Sequence, residues 1–275
     1  MNENFIKIIG KNKGPKSIII AGVHGNEKCG IKAIKKLLPY LKIERGVIYI
    51  GLGNPLAIKK NKRYIETNLN RMFKSRKNLS KDEIKSYEYN RSRFIKKYLD
   101  KSEVLLDIHA STVPKSQPFI ICEKNANNIS SKLPFKIIVS GFDKIQPGGT
   151  DYYMNKIGKI GICIECGYLK DKKSVEIARK SIINFLVSRG HIAGNIRDKE
   201  QEKIKIYKQY ITKTSNFTLI KKFKDFEKIS KNQLIGSDGQ KKIKALKDSV
   251  IIFPKNRYKI GEEAFLLGEY KKGLK

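Results

Sequence analysis

Short apolar runs rich in isoleucine and valine recur through the first two thirds of the chain, at residues 17–21 (SIIIA), 46–50 (GVIYI), 104–108 (VLLDI), 136–140 (KIIVS) and 160–164 (IGICI). They are too short for helices and heavy in β-branched side chains, so they predict buried strands. Stretches with helical spacing lie between them. Residues 27–38 set Ile31, Ile34, Leu37 and Leu38 on one face and stop at Pro39. A second helix is predicted from Ser80, where Ser-Lys-Asp-Glu forms a capping box with Glu83, and Ile84, Tyr87, Phe94, Ile95 and Tyr98 keep the helical period. A third spans about residues 174–187. Strands alternating with helices predict an α/β fold with a largely parallel sheet flanked by helices.

After Gly194 the pattern changes. KIKIYKQY, NFTLIK, QLIGSDGQ, DSVIIFP and EEAFLLGEY read as short strands divided by Gly, Asp and Pro turns. The expected organisation is therefore a main domain over residues 1–197 and a smaller β-rich domain over residues 198–275.

The length of 275 residues suits this division, and a 40% hydrophobic fraction is enough for a core. No apolar run approaches a membrane span, and the N-terminal MNENFIKIIG lacks the pattern of a signal peptide. Cys29, Cys122, Cys163 and Cys166 are irregularly spaced, as expected of reduced core thiols in a cytoplasmic protein. The formal net charge of +33 would attract polyanions. The lysines are spread along the whole chain, however, without a basic arm or arginine-rich block, which argues against a nucleic-acid partner.

Three segments carry chemistry. GVHGNE places His24 and Glu27 just past the strand SIIIA, and DIHAS places His109 at the end of another strand. In an open α/β sheet, ligands bind at the carboxyl ends of strands. Two histidines and a carboxylate form the ligand set of a hydrolytic zinc centre, so one Zn²⁺ per chain is expected on His24, Glu27 and His109. Only three histidines occur in the chain, and two fall here. Asp107 shares a strand face with His109 and is positioned to orient it. IECG adds Glu165 at the end of an apolar strand, where a carboxylate is costly without a task; general base, then acid, is the expected one. Cys163 and Cys166 form a C-x-x-C string, but residues three apart on a strand face opposite sides, so no redox or metal site is expected from them.

The segment containing Asn54-Pro55 and then Arg63-Tyr64-Ile65-Glu66-Thr67-Asn68-Leu69-Asn70-Arg71-Met72-Phe73 is polar and poorly periodic, like an active-site loop. Together with GVHGNE, DIHAS and IECG it resembles the succinylglutamate desuccinylase/aspartoacylase family, a branch of the zinc carboxypeptidase fold. The resemblance implies zinc on His24, Glu27 and His109, with Glu165 as general base and acid. It also implies Arg63 on the scissile carbonyl and Asn70 and Arg71 on a substrate carboxylate. Tyr258, shortly before Glu263-Ala264-Phe265, would be a further substrate contact, and a C-terminal β domain would cap the site. The implied activity is hydrolysis of a small anionic N-acyl amino acid. The sequence departs from the family around Ala110-Ser111-Thr112 and Tyr168-Leu169, which bears on the substrate more than on the chemistry. The alternatives are a zinc carboxypeptidase acting on peptides and a basic nucleic-acid-binding protein. The acyl group, the amino acid and any homo-oligomeric state are left open.

Overall fold

The computed structural model describes residues 5–271. Its centre is a run of parallel strands formed by the isoleucine-rich segments. These are β2 (Asn12–Ala21), β3 (Arg45–Leu52), β4 (Val104–Ser111) and β7 (Ile160–Tyr168), with β1 (Ile6–Ile9) antiparallel at the edge. Every residue of β4 is buried, as expected for a strand covered on both faces. Beyond β7 the sheet continues through β5 (Phe119–Cys122), which runs antiparallel to it, and β6 (Ile137–Ser140).

The helices cover both faces. On one side α1 (Cys29–Leu37) and α8 (Lys173–Ser188) pack on Ile19, Ile48, Ile50, Leu106, Ile108, Ile162 and Ile164. On the other, Ile95 and Leu99 of α4 (Tyr87–Leu99) bury Ile18, Ile20 and Leu105. The α1 helix starts at Cys29, not Glu27, because residues 24–28 are committed to a turn closed by Glu27 N–H donating to the His24 carbonyl at 3.1 Å. The capping box at Ser80 forms as expected and opens α3 (Lys81–Lys85). The helix then breaks: Ser86 is extended (ψ 154°) and its hydroxyl caps α4 instead. Three short helices complete the layers: α2 (Pro55–Lys59) after β3, α5 (Asn127–Ser130) after β5 and α6 (Phe142–Ile145) after β6. The α7 helix (Thr150–Lys156) precedes β7.

The segment from residue 198 onward is helix-free among the described residues. Of its strands, β8 (Glu202–Ile211) pairs parallel with β6, and β14 (Glu263–Tyr270), β13 (Ser249–Ile252) and β10 (Glu227–Ile229) follow antiparallel. The main sheet thus reaches eleven strands. A separate three-stranded sheet contains β9 (Phe217–Leu219), β11 (Leu234–Asp238) and β12 (Lys241–Lys244).

One glycine decides how the first site segment is presented. A Cβ on Gly25 would lie 2.1 Å from the Ala57 carbonyl carbon and 2.3 Å from the Ile58 nitrogen, both backbone atoms of α2. Gly25→Ala must therefore push the His24 turn away from α2. Overpacking against backbone costs about 1–3 kcal/mol or more. Thermal unfolding of Gly25→Ala is expected several degrees below wild type; an unchanged midpoint would show that the turn moves freely.

Candidate metal-centred active site

The parallel register brings the strand ends level. Ala21 of β2 lies opposite Ile108 of β4, and His109 lies opposite Glu165 of β7. His24 and Glu27, in the turn after β2, reach over to meet them. His24 Nδ1 is 2.9 Å from Glu27 Oε1, and His109 Nδ1 is 2.9 Å from Glu27 Oε2. The two Nδ1 atoms are only 3.2 Å apart. All three side chains are buried, and their ligand atoms lie within 4.8 Å of one another.

Groups around the cluster fix its orientation. Asp107 Oδ2 lies 3.2 Å from His109 Nε2 and accepts a hydrogen bond from Thr150 Oγ1 at 2.5 Å. His24 Nε2 lies 3.1 Å from Asn68 Oδ1, a partner that sequence reasoning passed over although it sits within the polar segment. Burial favours the neutral form of His24, and with the charge of Arg63 this brings its pKa down to about 4. Burial pulls His109 the same way, but Asp107 and Glu27 outweigh it and hold its pKa well above the ordinary range. For Glu27, burial is outweighed by the two histidines, which keep it ionised.

The donor set fits a divalent cation. Two imidazole nitrogens and a carboxylate converge on one small buried volume, and His109 has a carboxylate behind its far nitrogen, as metal-ligating histidines commonly do.

Glu165 borders the cluster with 9% exposure, and its Oε2 accepts no hydrogen bond among the described residues. Burial, reinforced by the charge of Glu27, raises its pKa to about 8. Arg63 Nη1 donates to Glu27 Oε1 at 2.9 Å, and its side chain remains 41% exposed. Asn70 and Arg71 lie on a 3-10 turn (Leu69–Arg71). Arg71 donates to the Asn70 carbonyl at 2.8 Å and to Gln146 Oε1 at 3.1 Å. All of these residues line one cavity of about 580 Å³, whose wall also includes Lys255, Arg257, Glu262 and Glu263 from the C-terminal strands and loops.

Tyr258 is not brought to this cavity. It is 69% exposed and absent from the lining. Arg257 forms a β-bridge with Phe217 and faces the cavity, so the next side chain along the extended backbone turns to solvent. Asn54 caps α2 and bonds Glu88, so it shapes the loop and stays out of the lining. Glu88 itself had no sequence signal; it accepts from the backbone N–H groups of Ile65, Glu66 and Thr67 at 2.7, 3.3 and 3.2 Å and so fixes the Arg63–Arg71 segment. All four cysteines are free and buried; Cys163 and Cys166 belong to different core clusters, on opposite faces of β7.

The catalytic-domain model of the succinylglutamate desuccinylase/aspartoacylase family matches residues 13–187. A probable aspartoacylase of Trichodesmium erythraeum is 31% identical over 62% of this chain and 65% of its own length. One from Prochlorococcus marinus is 28% identical over 54% of this chain and 53% of its own. The chain thus spans between about a third and two thirds of the length of the curated relatives it matches. Among solved structures, succinylglutamate desuccinylase from Vibrio parahaemolyticus superposes with a TM-score of 0.80 at 16% identity, covering 98% of this chain and 86% of that one. An ectoine utilization protein from Ruegeria pomeroyi superposes with a TM-score of 0.72 at 19% identity, covering 94% and 87%.

The raised pKa of Glu165 sets a test on stability. Between the ordinary carboxyl value and about 8 the folded state holds a proton that the unfolded state has released, so stability falls as pH rises through this window. In chelator-treated protein, Glu165→Gln should therefore unfold at a higher temperature than wild type at pH 8. The difference should shrink on acidification and vanish below about pH 4.5, near the unperturbed carboxyl value. Calorimetry across that range checks it; a difference independent of pH would show that Glu165 carries no burial penalty.

Proposed function

Because the chain belongs to the succinylglutamate desuccinylase/aspartoacylase family, we propose that it is a zinc-dependent amide hydrolase that removes the acyl group from an N-acyl amino acid in the cytoplasm. The observation that carries this reading is the convergence of His24, Glu27 and His109 with an unpartnered, buried Glu165 beside them. Among the described residues no helix is long and apolar enough to cross a membrane.

His24, Glu27 and His109 would hold one zinc ion. Zinc bound there supplies a Lewis acid that polarises a carbonyl and acidifies water. Glu165, whose pKa is near 8, is suited to take the proton of the attacking water and to hand it to the departing amine nitrogen. The guanidinium of Arg63 reaches the same cluster and would stabilise the oxyanion; losing such a donor typically costs ~10²–10³ in rate. Asn70 and Arg71 would hold the carboxylate of the amino acid, Arg71 with its planar fork. Lys255, Arg257, Glu262 and Glu263, from the C-terminal strands and loops, complete the wall of the cavity, which supports a small molecule over a long peptide.

The decisive experiment measures metal and turnover on one preparation. Wild type should carry about one zinc per chain and cleave a member of a panel of N-acetyl and N-succinyl amino acids in preference to dipeptides. Glu165→Gln should keep the zinc and lose roughly 10²–10⁴ in kcat. His109→Ala should lose the zinc, whereas His191→Ala should keep it, since His191 bonds Ser17 and the Arg45 carbonyl away from the site. Full turnover in Glu165→Gln, or a protein that takes up no transition metal, would overturn the assignment.

A second substitution isolates the clamp. Arg71→Lys should raise KM on the best substrate with little change in kcat, because an ammonium cannot reproduce a bidentate fork. Unchanged KM would remove Arg71 from substrate binding.

A further inference from the structure

Arg71 is the cation of the proposed clamp, and it is held from outside its own loop. Its Nη1 donates to the carbonyl of Asn70 at 2.8 Å, which ties one side of the guanidinium to the 3-10 turn. Its Nη2 donates to Gln146 Oε1 at 3.1 Å. Gln146 follows α6, and its Nε2 donates in turn to Glu263 Oε2 at the start of β14. Gln209 of β8 donates to the same oxygen at 2.6 Å. A carboxylate only accepts, so Gln146 must present its NH₂ to Glu263 and its carbonyl to Arg71. The charge of Glu263 therefore fixes the amide in the one orientation that also satisfies the guanidinium.

We propose that Glu263 is a positioning residue for substrate binding: acting through Gln146, it sets the orientation of the Arg71 fork from the C-terminal strands. This rests on the reading of Arg71 as the carboxylate clamp. Two of the guanidinium N–H groups are tied down at the back, and the rest of the fork is left to a ligand. Glu263 also borders the cavity, but it reaches Arg71 through the neutral amide of Gln146, so its charge acts on the guanidinium by way of that amide. Its own backbone is anchored too, since Arg257 Nε donates to the Glu263 carbonyl at 2.5 Å. The arrangement gives the strands after residue 198 a direct part in binding.

The test compares Glu263→Ala and Glu263→Gln with wild type, using whichever of N-acetyl-L-aspartate, N-acetyl-L-glutamate and N-succinyl-L-glutamate wild type cleaves best. Glu263→Ala should raise KM by about 10- to 100-fold, the worth of a hydrogen bond to a charged group, with kcat changed by less than about threefold. Glu263→Gln keeps an acceptor oxygen and should recover most of that loss. In parallel, modification of Arg71 by phenylglyoxal, followed by mass spectrometry of the digested protein, should be several-fold faster in Glu263→Ala than in wild type. If wild type cleaves none of the three compounds, the modification rates by themselves decide whether Glu263 holds Arg71. Unchanged KM together with unchanged Arg71 reactivity would overturn the proposal. So would equal losses in Glu263→Ala and Glu263→Gln, with kcat and KM moving together.

Discussion

The constraint on which the rest depends is the in-phase parallel register of β2, β4 and β7. Ala21, Ile108 and Ile164 stand level across the sheet, so the chain leaves each strand at nearly the same height. A register slip of one residue would turn His109 and Glu165 to the opposite face, since side chains alternate along a strand. Register is strongly specified where both faces are buried, and here isoleucine and leucine fill both layers, under α1 and α8 on one side and α4 on the other. Packing far from the chemistry thereby sets distances between residues that lie 82 positions apart in the chain.

Upon that frame the site concentrates unfavourable electrostatics. Glu27 is placed between two buried histidines, and they respond in opposite directions: His24 is held neutral while His109 retains its proton against Asp107 and Glu27. Hydrogen bonds from the Ala110 N–H and from Arg63 also reach Glu27. These contacts hold three donors in place before any ion arrives, and a site already held in this way does not have to order its ligands when one binds. Glu165 represents the opposite choice. It is buried without a hydrogen-bond donor for Oε2, so it holds its proton more tightly than an ordinary carboxyl and exchanges it near neutral pH, at a cost to the fold.

Much of this was legible in the sequence because the strongest signals are local. The runs SIIIA and VLLDI announce strands, and the site residues follow them directly, so position relative to a strand end was enough to pick out His24, Glu27, His109 and Glu165. β5 was missed because FIIC is only four residues long and sits just after Pro118 without a helix before it. Glu88, Asn68, Thr150 and Gln146 were missed for a different reason. Each takes its role from a partner distant in sequence, as Gln146 does from Glu263, 117 residues away. Tyr258 is the reverse case: the family resemblance implied a substrate contact there, but the bridge at Arg257 sets which way the backbone alternates and leaves Tyr258 exposed and outside the cavity lining. Similarly, the change in composition after Gly194 marked a real change to all-β structure while concealing that four of the strands extend the main sheet.

The chain's large positive charge acquires a more specific meaning beside the cavity. Although the whole chain carries +33, the cavity wall holds four lysine and arginine side chains, Arg63, Arg71, Lys255 and Arg257, together with the protonated His109, against six carboxylates, Glu27, Asp143, Asp151, Glu165, Glu262 and Glu263. Burial raises the pKa of Asp151 to about 6 and that of Glu165 to about 8, so the wall's negative charge at neutral pH is smaller than its count of acids. The excess lysines therefore lie outside the site and act at long range, drawing anions towards the mouth and losing influence as salt screens them. Inside the cavity the cations are individually placed: Arg71 is backed by Gln146 and Glu263, and Lys255 has its pKa lowered by burial and by the neighbouring Arg63 and Arg257. A field of one sign outside and a more nearly balanced wall inside would, on the proposed function, separate capture of an anion from its recognition.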